Sequence, residues 1–457
     1  MARVFDPRAS RATLFSALLA AKRQHGGDKA IIEDVERQPL TYSRIILGSF
    51  VLGGRLAAMT RRKEAVGVLL PNVAGLAVVL FGLNAYGRVA AMLNFTAGVR
   101  NLRSALRTAE VRTIVTSRRF IATAKLEDVV AALAETETAK GGKVRIVYLE
   151  DVRKEIGAKD KIGGVIRAAM AARVHRKHGL GPDDPAVILF TSGTEGEPKG
   201  VVLSSANLVA NAAQIYAHAD GALSPADVIF NPLPMFHSFG LTAGSLVGLL
   251  NGIKVVLYPS PLHFHQIPEL IAATKATFLF ATDTFAQSYA RAAGEGELAS
   301  VRYVIAGAEK VKDQTRSQWA KFGALVLEGY GATECSPVIA CSLPDANCAG
   351  SVGRALPGME LRLEAVEGIT DGGRLYVRGP NVMSGYMMSK YPGVLVPPEG
   401  GWHDTGDIVA IDADGFLTIK GRAKRFAKVG GEMISLAAVE GVVASLWPEA
   451  SHVVVSL

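Results

Sequence analysis

Residues 191–200 read TSGTEGEPKG and lie between two short apolar runs, AVILF at 186–190 and VVL at 201–203. This segment, the phosphate loop, combines three hydroxyl side chains, three glycines and one lysine, Lys199. Glycine lets a backbone bend closely around an anion, while hydroxyls, backbone N–H groups and a lysine ammonium bind phosphate oxygens. A plain Gly-rich turn would need neither the hydroxyls nor the lysine. The segment therefore predicts a phosphate-binding loop flanked by strands.

The residues around the loop exclude two other nucleotide-binding motifs. A Walker loop places its lysine at the start of a helix, whereas Lys199 is followed by Gly200 and a strand-like run. A dinucleotide fingerprint needs a third glycine after Gly329 and Gly331, and Glu334 stands at that position. The chain also has no HExxH and no GxSxG sequence, so metalloprotease and serine-hydrolase functions lack their motifs.

Outward from the loop, helical and strand-like patterns alternate. Before it, the spacing predicts helices and strands at 13–24, 65–70, 73–86, 100–110, 113–116 and 144–149. After it, strands are expected at 255–258, 277–280 and 303–305. Beyond residue 350, strand-like segments separated by Gly and Asp turns occur at 359–364, 374–378 and 416–420. The alternation predicts doubly wound, mostly parallel sheets, and the last part predicts a small β-rich subdomain.

We therefore predict an α/β protein whose large N-terminal domain has two doubly wound sheets plus the small β-rich subdomain. The expected boundaries are 1–185 for a first α/β subdomain, 186–350 for a second one that contains the phosphate loop, and 351–421 for the β-rich part. A length of 457 residues suits several packed units better than a single one.

The composition is that of a folded protein with a large core. Hydrophobic residues make up 49% and charged residues 20%, which excludes disorder. A net charge of +8 is compatible with nucleic acid, anionic lipid, an acidic carrier protein or a polyanionic ligand. No aromatic-and-basic module supports nucleic-acid binding, so we expect none. Three cysteines without a CxxC spacing indicate reduced thiols in a cytosolic protein.

Membrane contact is expected to be peripheral at most. Residues 1–10 are polar and do not begin a signal peptide, and the longest apolar stretch, 73–87, is shorter than the ~20 residues that span a bilayer. Residues 166–178, IRAAMAARVHRKH, interleave small apolar and basic side chains and indicate a basic amphipathic helix. The favoured interpretation of this segment is a solvated helix that leads into the next domain. We expect a cytoplasmic location, with the inner face of the membrane as an option.

Three further segments follow the phosphate loop in a fixed order: GYGATE at 329–334, GWHDTGD at 401–407 and GRAKRFAKVGGE at 421–432. Together the four segments resemble the motifs of the adenylate-forming superfamily, which includes acyl-CoA synthetases, acyl-carrier-protein synthetases, luciferase-like enzymes and adenylation domains. Strings such as NPLPMFHSFG at 231–240 and FATDTF at 280–285 are similar to the acyl-acyl-carrier-protein synthetase portion of bifunctional 2-acylglycerophosphoethanolamine acyltransferases.

The resemblance implies an ATP site built from these motifs. The phosphate loop would grip the β- and γ-phosphates through Thr191, Ser192, Gly193, Thr194, Gly196, Lys199 and Gly200. The adenine pocket would be formed by Gly307, Ala308, Glu309, Gly329, Tyr330, Gly331 and Ala332. Tyr330 would stack on the base, although an ordinary core tyrosine is the alternative. Asp407 would accept hydrogen bonds from the ribose hydroxyls, and Arg422 would add a charged contact.

The catalytic residues implied by the same resemblance are Thr191, Thr194, Lys199, His237, Thr333 and Glu334. Thr333 would bind the α-phosphate, and Glu334 would hold Mg²⁺, a cation that prefers carboxylate, water and phosphate oxygens. His237 would close the carboxylate pocket, with a hydrogen-bonded core histidine as the alternative. Asp283 is a weaker candidate that has a structural alternative.

The implied function is ATP-dependent activation of a fatty acid as an acyl-adenylate, with release of pyrophosphate. The similarity to the acyl-acyl-carrier-protein synthetase portion implies that the fatty acid is long-chain. A phosphopantetheine thiol of acyl carrier protein or of coenzyme A would then take the acyl group. Two alternatives stay open, namely a short-chain or aryl acid–CoA ligase and a non-catalytic nucleotide-binding module.

Two positions depart from the family pattern. Lys424, which is followed by Arg425, stands where many relatives have an aspartate at the hinge. The family also places a lysine near its C-terminus, and no lysine follows Lys428 in this chain. Residues 422–457 are accordingly expected to be the truncated start of a C-terminal α+β lid, and adenylation by this chain alone is expected to be weak.

Overall fold

The structure is a computed structural model that describes residues 3–138, 141–192, 197–429, 432–447 and 453–455. Its helices are α1 (Leu14–His25), α2 (Tyr42–Met59), α3 (Ala74–Ala85), α4 (Gly98–Thr108), α5 (Arg118–Ala124), α6 (Glu127–Ala134), α7 (Leu149–Glu155), α8 (Ala158–Ala169), α9 (Ala171–His178), α10 (Ser205–His218), α11 (Val247–Asn251), α12 (Gln266–Thr274), α13 (Asp283–Ala292), α14 (Asp313–Ala320) and α15 (Leu436–Leu446). A π-helix covers Phe239–Leu246, and 3₁₀ turns cover Thr333–Cys335, Glu399–Gly401 and Ala423–Arg425.

The strands form four sheets in the described part of the chain. They are β1 (Ala30–Glu33), β2 (Leu40–Thr41), β3 (Ala65–Val68), β4 (Val89–Met92), β5 (Thr113–Thr116), β6 (Arg145–Tyr148), β7 (Pro185–Ser192), β8 (Pro198–Ser204), β9 (Val228–Asn231), β10 (Lys254–Leu257), β11 (Phe278–Ala281), β12 (Tyr303–Ala306), β13 (Leu325–Gly331), β14 (Val338–Cys341), β15 (Arg354–Ala355), β16 (Glu360–Glu364), β17 (Gly373–Arg378), β18 (Gly385–Met388), β19 (Tyr391–Val396), β20 (His403–Ile411), β21 (Leu417–Arg422), β22 (Phe426–Val429) and β23 (Glu432–Ser435).

Two large sheets carry the fold. The first has the order β19-β18-β8-β7-β4-β3-β5-β6, and its strands from β7 to β6 pair in parallel. The second has the order β15-β14-β13-β12-β11-β9-β10-β1-β2, and its strands from β13 to β1 are parallel. Both sheets thus have a parallel centre, as expected for helices that cross between apolar strands. Antiparallel strands add to both edges of the second sheet and to the β19 edge of the first, whose other edge is the parallel strand β6. The predicted α/β class is confirmed.

The third sheet is the β-rich part, with the antiparallel order β16-β17-β20-β21. The sheets interleave along the chain, since β18 and β19 leave the β-rich region to join β8, while β7 pairs with β4 from the first 150 residues. The subdomain boundaries expected at residues 185, 350 and 421 therefore remain predictions.

Most predicted elements occur with small shifts at their ends. The helices expected at 13–24, 73–86 and 100–110 are α1, α3 and α4, and the strands expected at 113–116 and 374–378 lie in β5 and β17. Hydroxyl side chains of Thr13 and Ser204 cap α1 and α10 by accepting hydrogen bonds from backbone N–H groups. Helix α3 is apolar all round because the core encloses it on nearly every side.

One predicted helix is wrong. Residues 166–178 were expected to form a single helix, but α8 ends at Ala169 and α9 starts at Ala171, with Met170 outside helical geometry. Anchoring of α9 explains the break. The His175 ring is buried, with its Nε2 2.7 Å from Thr13 Oγ1 and its Nδ1 3.2 Å from the Ala85 carbonyl oxygen. These contacts give α9 a direction of its own.

Two observations bear on the membrane expectation. In the described ranges, none of the helices combines the length and the apolarity that crossing a bilayer requires. The three cysteines are all free, with Cys335 buried and Cys348 exposed.

Candidate functional site

The described part of the phosphate loop is the end of the β7–β8 hairpin. Thr191 lies opposite Lys199 in the ladder, and Phe190 lies opposite Gly200. Gly200 fits because a Cβ there would lie only 3.2 Å from the Ile188 side chain and 3.4 Å from Met387. Gly193, Thr194 and Gly196 lie outside the described residues, as does the side chain of Ser192.

Lys199 points towards the strand that flanks the hairpin. Strand β18 pairs with β8, and the Lys199 Nζ lies 5.4 Å from the centre of the Tyr386 ring, within cation–π range. The Tyr386 hydroxyl donates a hydrogen bond of 2.7 Å to Glu334 Oε1. Burial and the nearby Glu334 carboxylate raise the pKa of Tyr386, so the phenol stays protonated and keeps donating. Tyr386 thus connects the phosphate loop to residues 329–334.

Residues 329–334 lie at the carboxyl end of β13. Tyr330 is buried, and its hydroxyl donates a 2.5 Å hydrogen bond to Asp407 Oδ2. Gly331 is required for packing, because a Cβ there would overlap the Pro337 carbonyl group. Ala332 leads into the 3₁₀ turn that presents Thr333, whose hydroxyl accepts a hydrogen bond of 3.4 Å from Ser238.

Residues 307–309 lie beside this segment, at the carboxyl end of β12. Gly307 is in close contact with Gly329, since a Cβ on Gly307 would be 3.2 Å from the Gly329 carbonyl oxygen. Ala308 has a left-handed backbone with φ of 68°. Glu309 accepts hydrogen bonds of 3.0 and 2.7 Å from the backbone and hydroxyl of Thr284. Carboxyl ends of adjacent parallel strands are a common place for ligand binding.

The carboxylate of Asp407 is buried on β20 and faces two donors. Tyr330 donates to one of its oxygens, and Arg422 Nε lies 3.0 Å from the other. Burial raises the pKa of Asp407, while the Tyr330 hydroxyl and the Arg422 guanidinium favour its ionised form. Arg422 also donates to the Thr405 carbonyl oxygen at 2.9 Å, which fixes its position over the pair.

His237 lies in the segment after β9 that leads into the π-helix, and π-helices are frequent at functional sites. His237 is exposed, and its ring centre lies 4.7 Å from that of Phe236. Desolvation by the surrounding protein lowers the pKa of His237 below its ordinary value of 6.5. A hydrogen-bonded core histidine, the alternative considered for this residue, does not match its exposure.

Asp283 forms hydrogen bonds within the fold, as in the structural alternative given for it above. Its buried carboxylate accepts hydrogen bonds from the Thr315 hydroxyl at 2.5 Å, from the Lys312 backbone at 3.1 Å and from the Gln287 amide at 3.1 Å. These contacts join α13 to α14. The carboxylate is therefore occupied within the fold.

Three side chains of the site were not predicted from the sequence, namely Tyr386, Ser238 and His403. Tyr386 and Ser238 contact the predicted residues Glu334 and Thr333 directly. His403 is buried near Glu334, Asp404 and Asp407, and burial lowers its pKa. His403 lies inside GWHDTGD and Ser238 inside NPLPMFHSFG, so attention to every polar position of a motif would have included both. Tyr386 belongs to no motif.

The donor set suits magnesium that arrives with a nucleotide. Within the described ranges there is no group of three metal-binding side chains. Glu334 has one oxygen bonded to Tyr386, which leaves the other carboxylate oxygen to bind a cation. Magnesium in phosphoryl-transfer sites is typically held by one or two carboxylates together with substrate phosphates and water. A single carboxylate beside the phosphate loop fits this arrangement.

A basic groove of about 1070 Å³ opens beside the hairpin end. Its lining includes Glu197 and Pro198 of the hairpin, and Glu197 accepts a hydrogen bond from Ser389. The facing wall is α4, and the cationic side chains of the groove are Arg100, Arg103, Arg107 and Lys390. The groove therefore places positive potential next to the phosphate loop. Tyr330 and Asp407 are not among its lining residues.

Comparison with known proteins agrees with this geometry. The family model described as AMP-binding enzyme matches residues 19–387. A long-chain-fatty-acid–CoA ligase of Escherichia coli O157:H7 is 28% identical over 408 residues, covering 84% of this chain and 72% of the relative. An indoleacetate–CoA ligase of Aromatoleum aromaticum is 34% identical over 285 residues, covering 59% of this chain and 54% of the relative. The crystal structure of ATP-bound MatB from Rhodopseudomonas palustris superposes with a TM-score of 0.76 at 25% identity, covering 95% of this chain and 83% of that one.

Proposed function

This chain belongs to the AMP-binding enzyme family, and on that premise we propose that it activates a carboxylic acid with ATP and passes the acyl group to a thiol. In the first step a carboxylate oxygen attacks the α-phosphorus of ATP, the bond to the β-phosphate oxygen breaks, and acyl-adenylate and pyrophosphate form. In the second step a thiol sulfur attacks the acyl carbon and loses its proton, and AMP leaves with the electron pair of the broken bond.

One observation carries the proposal. Residues 329–334 are bonded through Tyr330 to Asp407 of the third sheet and through Glu334 to Tyr386, which contacts Lys199. The predicted adenine, ribose and phosphate contacts therefore surround one short segment, although they come from three different sheets. A nucleotide bound along this segment would have its base beside Gly307 and its phosphates beside Lys199.

Each residue has a defined role in this proposal. Lys199 and Thr191 bind the leaving phosphates, and Thr333 donates to the α-phosphate. Asp407 accepts from the ribose, and Tyr386 is a positioning residue because it acts through Glu334. Magnesium held by Glu334 would neutralise phosphate charge. The charged groups matter most because the reaction brings two anions together, so positioning and charge neutralisation lower the barrier.

No general base is needed for the first step. A carboxylic acid has a pKa near 4, so at pH 7 the nucleophile is already ionised. His237 is neutral at that pH because desolvation lowers its pKa. We propose that its uncharged ring forms a wall of the acid pocket and neither adds a charge to the substrate carboxylate nor takes a proton from it.

The acid we propose is a long-chain fatty acid, and the acceptor is coenzyme A or the phosphopantetheine of acyl carrier protein. The 28% identical ligase supports the fatty acid, and it extends over most of both chains. The indoleacetate–CoA ligase, more similar over a shorter part, supports an aryl acid as the second candidate. The basic groove next to the loop is a suitable surface for the phosphates of coenzyme A or for an acidic carrier.

The test is a product analysis by mass spectrometry. The protein is incubated with ATP, magnesium, a panel of acids from acetate to palmitate with benzoate and indoleacetate, and either acceptor. We expect AMP, pyrophosphate and a long-chain acyl thioester. A maximum at acetate or at an aryl acid would overturn the long-chain assignment, and ATP binding without any acyl-AMP would favour a non-catalytic nucleotide-binding module.

A further inference from the structure

Helix α8 presents its apolar side chains to solvent. It packs on α2 through Gly164, where a Cβ would overlap the Val51 side chain, and Arg167 turns inward to interact with Tyr86. The large aliphatic side chains of the helix lie on the opposite side. The exposed fractions are 62% for Ile162, 58% for Val165, 55% for Ile166 and, just after the helix, 44% for Met170.

These four side chains form one continuous stripe. Their positions are separated by three, one and four residues, and residues three or four apart are neighbours on a helix surface. An amphipathic surface helix of a globular protein normally turns such a stripe towards the core. Here the residues that face the body of the protein are Gly164, Arg167 and Ala168, and the stripe of larger side chains is left in solvent.

Basic side chains border the stripe. Lys159 and Lys161 are exposed at the start of the helix. At 100° per residue, Lys161 lies beside the stripe on its Val165 side, and Lys159 lies at the N-terminal end of the stripe, in a direction between those of Ile166 and Met170. Helix α9 adds three exposed cations, Arg173, Arg176 and Lys177. In the part of the chain that the structure describes, none of these five side chains forms an ion pair.

The acidic residues of this region are already engaged. Residues 153–177 contain eight Lys and Arg against two acids, Glu155 and Asp160. Glu155 pairs with Arg55 at 2.6 Å, and Asp160 accepts the Gly157 backbone N–H at 3.0 Å at the start of α8. The region therefore has a large excess of positive charge that can attract an external anionic surface.

We propose that α8 and α9 form a docking surface for an anionic phospholipid bilayer. The stripe of Ile162, Val165, Ile166 and Met170 enters the boundary between headgroups and acyl chains, and the five cations bind lipid phosphates around it. An apolar centre with a cationic border matches the order of layers in such a membrane, where charge lies above hydrocarbon. The surface is independent of the catalytic proposal, although a membrane is where a long-chain acid would be found.

The test is co-sedimentation of the full chain with vesicles of phosphatidylcholine alone or mixed with phosphatidylglycerol. We expect binding to the mixed vesicles that weakens at high salt, since exposed charges are screened. The double variant Ile162→Gln/Ile166→Gln should bind at least about tenfold less. The double variant Lys159→Gln/Lys161→Gln should bind about 25-fold less, at roughly fivefold per cation.

Matched controls are available on the same chain. Leu262, 61% exposed, is nearly as exposed as Ile162 but lies outside α8 and α9, so Leu262→Gln should bind like the unaltered protein. Lys321→Gln is the control for charge, because Lys321 is exposed at the end of α14. The substituted side chains are exposed, and unfolding curves should coincide for all variants.

Hydrogen exchange on vesicles locates the contact, with protection expected in residues 158–177. If the protein bound vesicles of phosphatidylcholine alone as well as mixed vesicles, the role of the cations would be overturned. If the control variants lost as much binding as the α8 variants, the location of the site would be overturned. Self-association of the chain through α8, or binding of an acidic carrier protein there without vesicle binding, would overturn the lipid assignment. None of these outcomes depends on ligase activity.

Discussion

The substitution Asp407→Asn separates nucleotide binding from stability. Asp407 accepts from Tyr330 and pairs with Arg422. Asparagine keeps the shape but offers a single acceptor oxygen and an NH₂ group, so it cannot accept from both partners and from ribose. Loss of a hydrogen bond to a charged group costs about 1.5–3 kcal/mol. ATP should therefore bind roughly 10- to 150-fold more weakly, at about 1.4 kcal/mol per factor of ten.

Stability should change much less. Burial raises the pKa of Asp407, so ionising this group in the folded protein carries a desolvation cost that asparagine removes. The lost attraction to Arg422 opposes this gain and is small because the Arg422 side chain is 64% exposed. We expect the free energy of unfolding to change by less than about 1 kcal/mol.

Calorimetry with ATP and with 2′-deoxy-ATP measures the binding effect. Because 2′-deoxy-ATP lacks one of the two hydroxyls, the penalty of Asp407→Asn should shrink to about half in free energy. The control is Asp412→Asn, which removes a charge from the same sheet at an exposed turn. Equal ATP affinity for Asp407→Asn and the unaltered protein, in a fully folded variant, would refute the ribose assignment.

Three further outcomes test other parts of the site and the fold. Lys199→Ala should lower the rate of acyl-adenylate formation about 10- to 100-fold because phosphate contacts are lost. Pyrophosphate release measures this rate, and the control variant Lys321→Ala should be unaffected. An unchanged rate in the Lys199 variant would contradict the assignment of the phosphate loop. Tyr386→Phe should raise the magnesium concentration needed for half-maximal activity, because Glu334 loses its donor, and an unchanged magnesium titration would rule out this positioning role. Burial lowers the pKa of His175, so the unfolded chain binds a proton more readily below pH 6.5. Its contribution to the free energy of unfolding should fall by up to ~1.4 kcal/mol per pH unit there, and His175→Gln should reduce that slope in denaturant titrations.

Local sequence was sufficient for several of the strands, including the two that flank the phosphate loop, whereas β13 and β20, which carry Tyr330 and Asp407, were not predicted as strands. Runs such as 186–190 and 303–305 are too apolar to be exposed, and they lie in β7 and β12. The turns and 3₁₀ segments that present Thr333 and Glu309 follow directly from strand ends, where glycines such as Gly331 allow close packing. The resemblance to a known family identified these segments by their order along the chain. In the folded protein, Tyr330 contacts Asp407, and Glu334 contacts Tyr386.

Long-range pairing could not be predicted in this way. Tyr386 bonds to Glu334, 52 residues away, only because β18 leaves the β-rich region to pair with β8. No local pattern encodes the choice of partner strand, and an apolar or aromatic residue in a short strand looks the same in either sheet. Periodicity likewise indicated an amphipathic helix near residue 166, but it could not say which side faces the body. Gly164 against Val51 decides that.

The buried Asp407 also links nucleotide binding to pH. A carboxylate has about four lone-pair sites, and Tyr330 and Arg422 use two of them, which leaves room for both ribose hydroxyls. Ribose donors favour the ionised form, so ATP lowers the pKa that burial raises. By linkage, ATP affinity should fall as pH drops through the raised pKa of Asp407, above the ordinary 3.8, and binding there should release a proton. Calorimetry in buffers of different ionisation enthalpy detects that proton. Asp407→Asn should abolish its release, and release that persists in this variant would assign it to another group, such as the neighbouring His403.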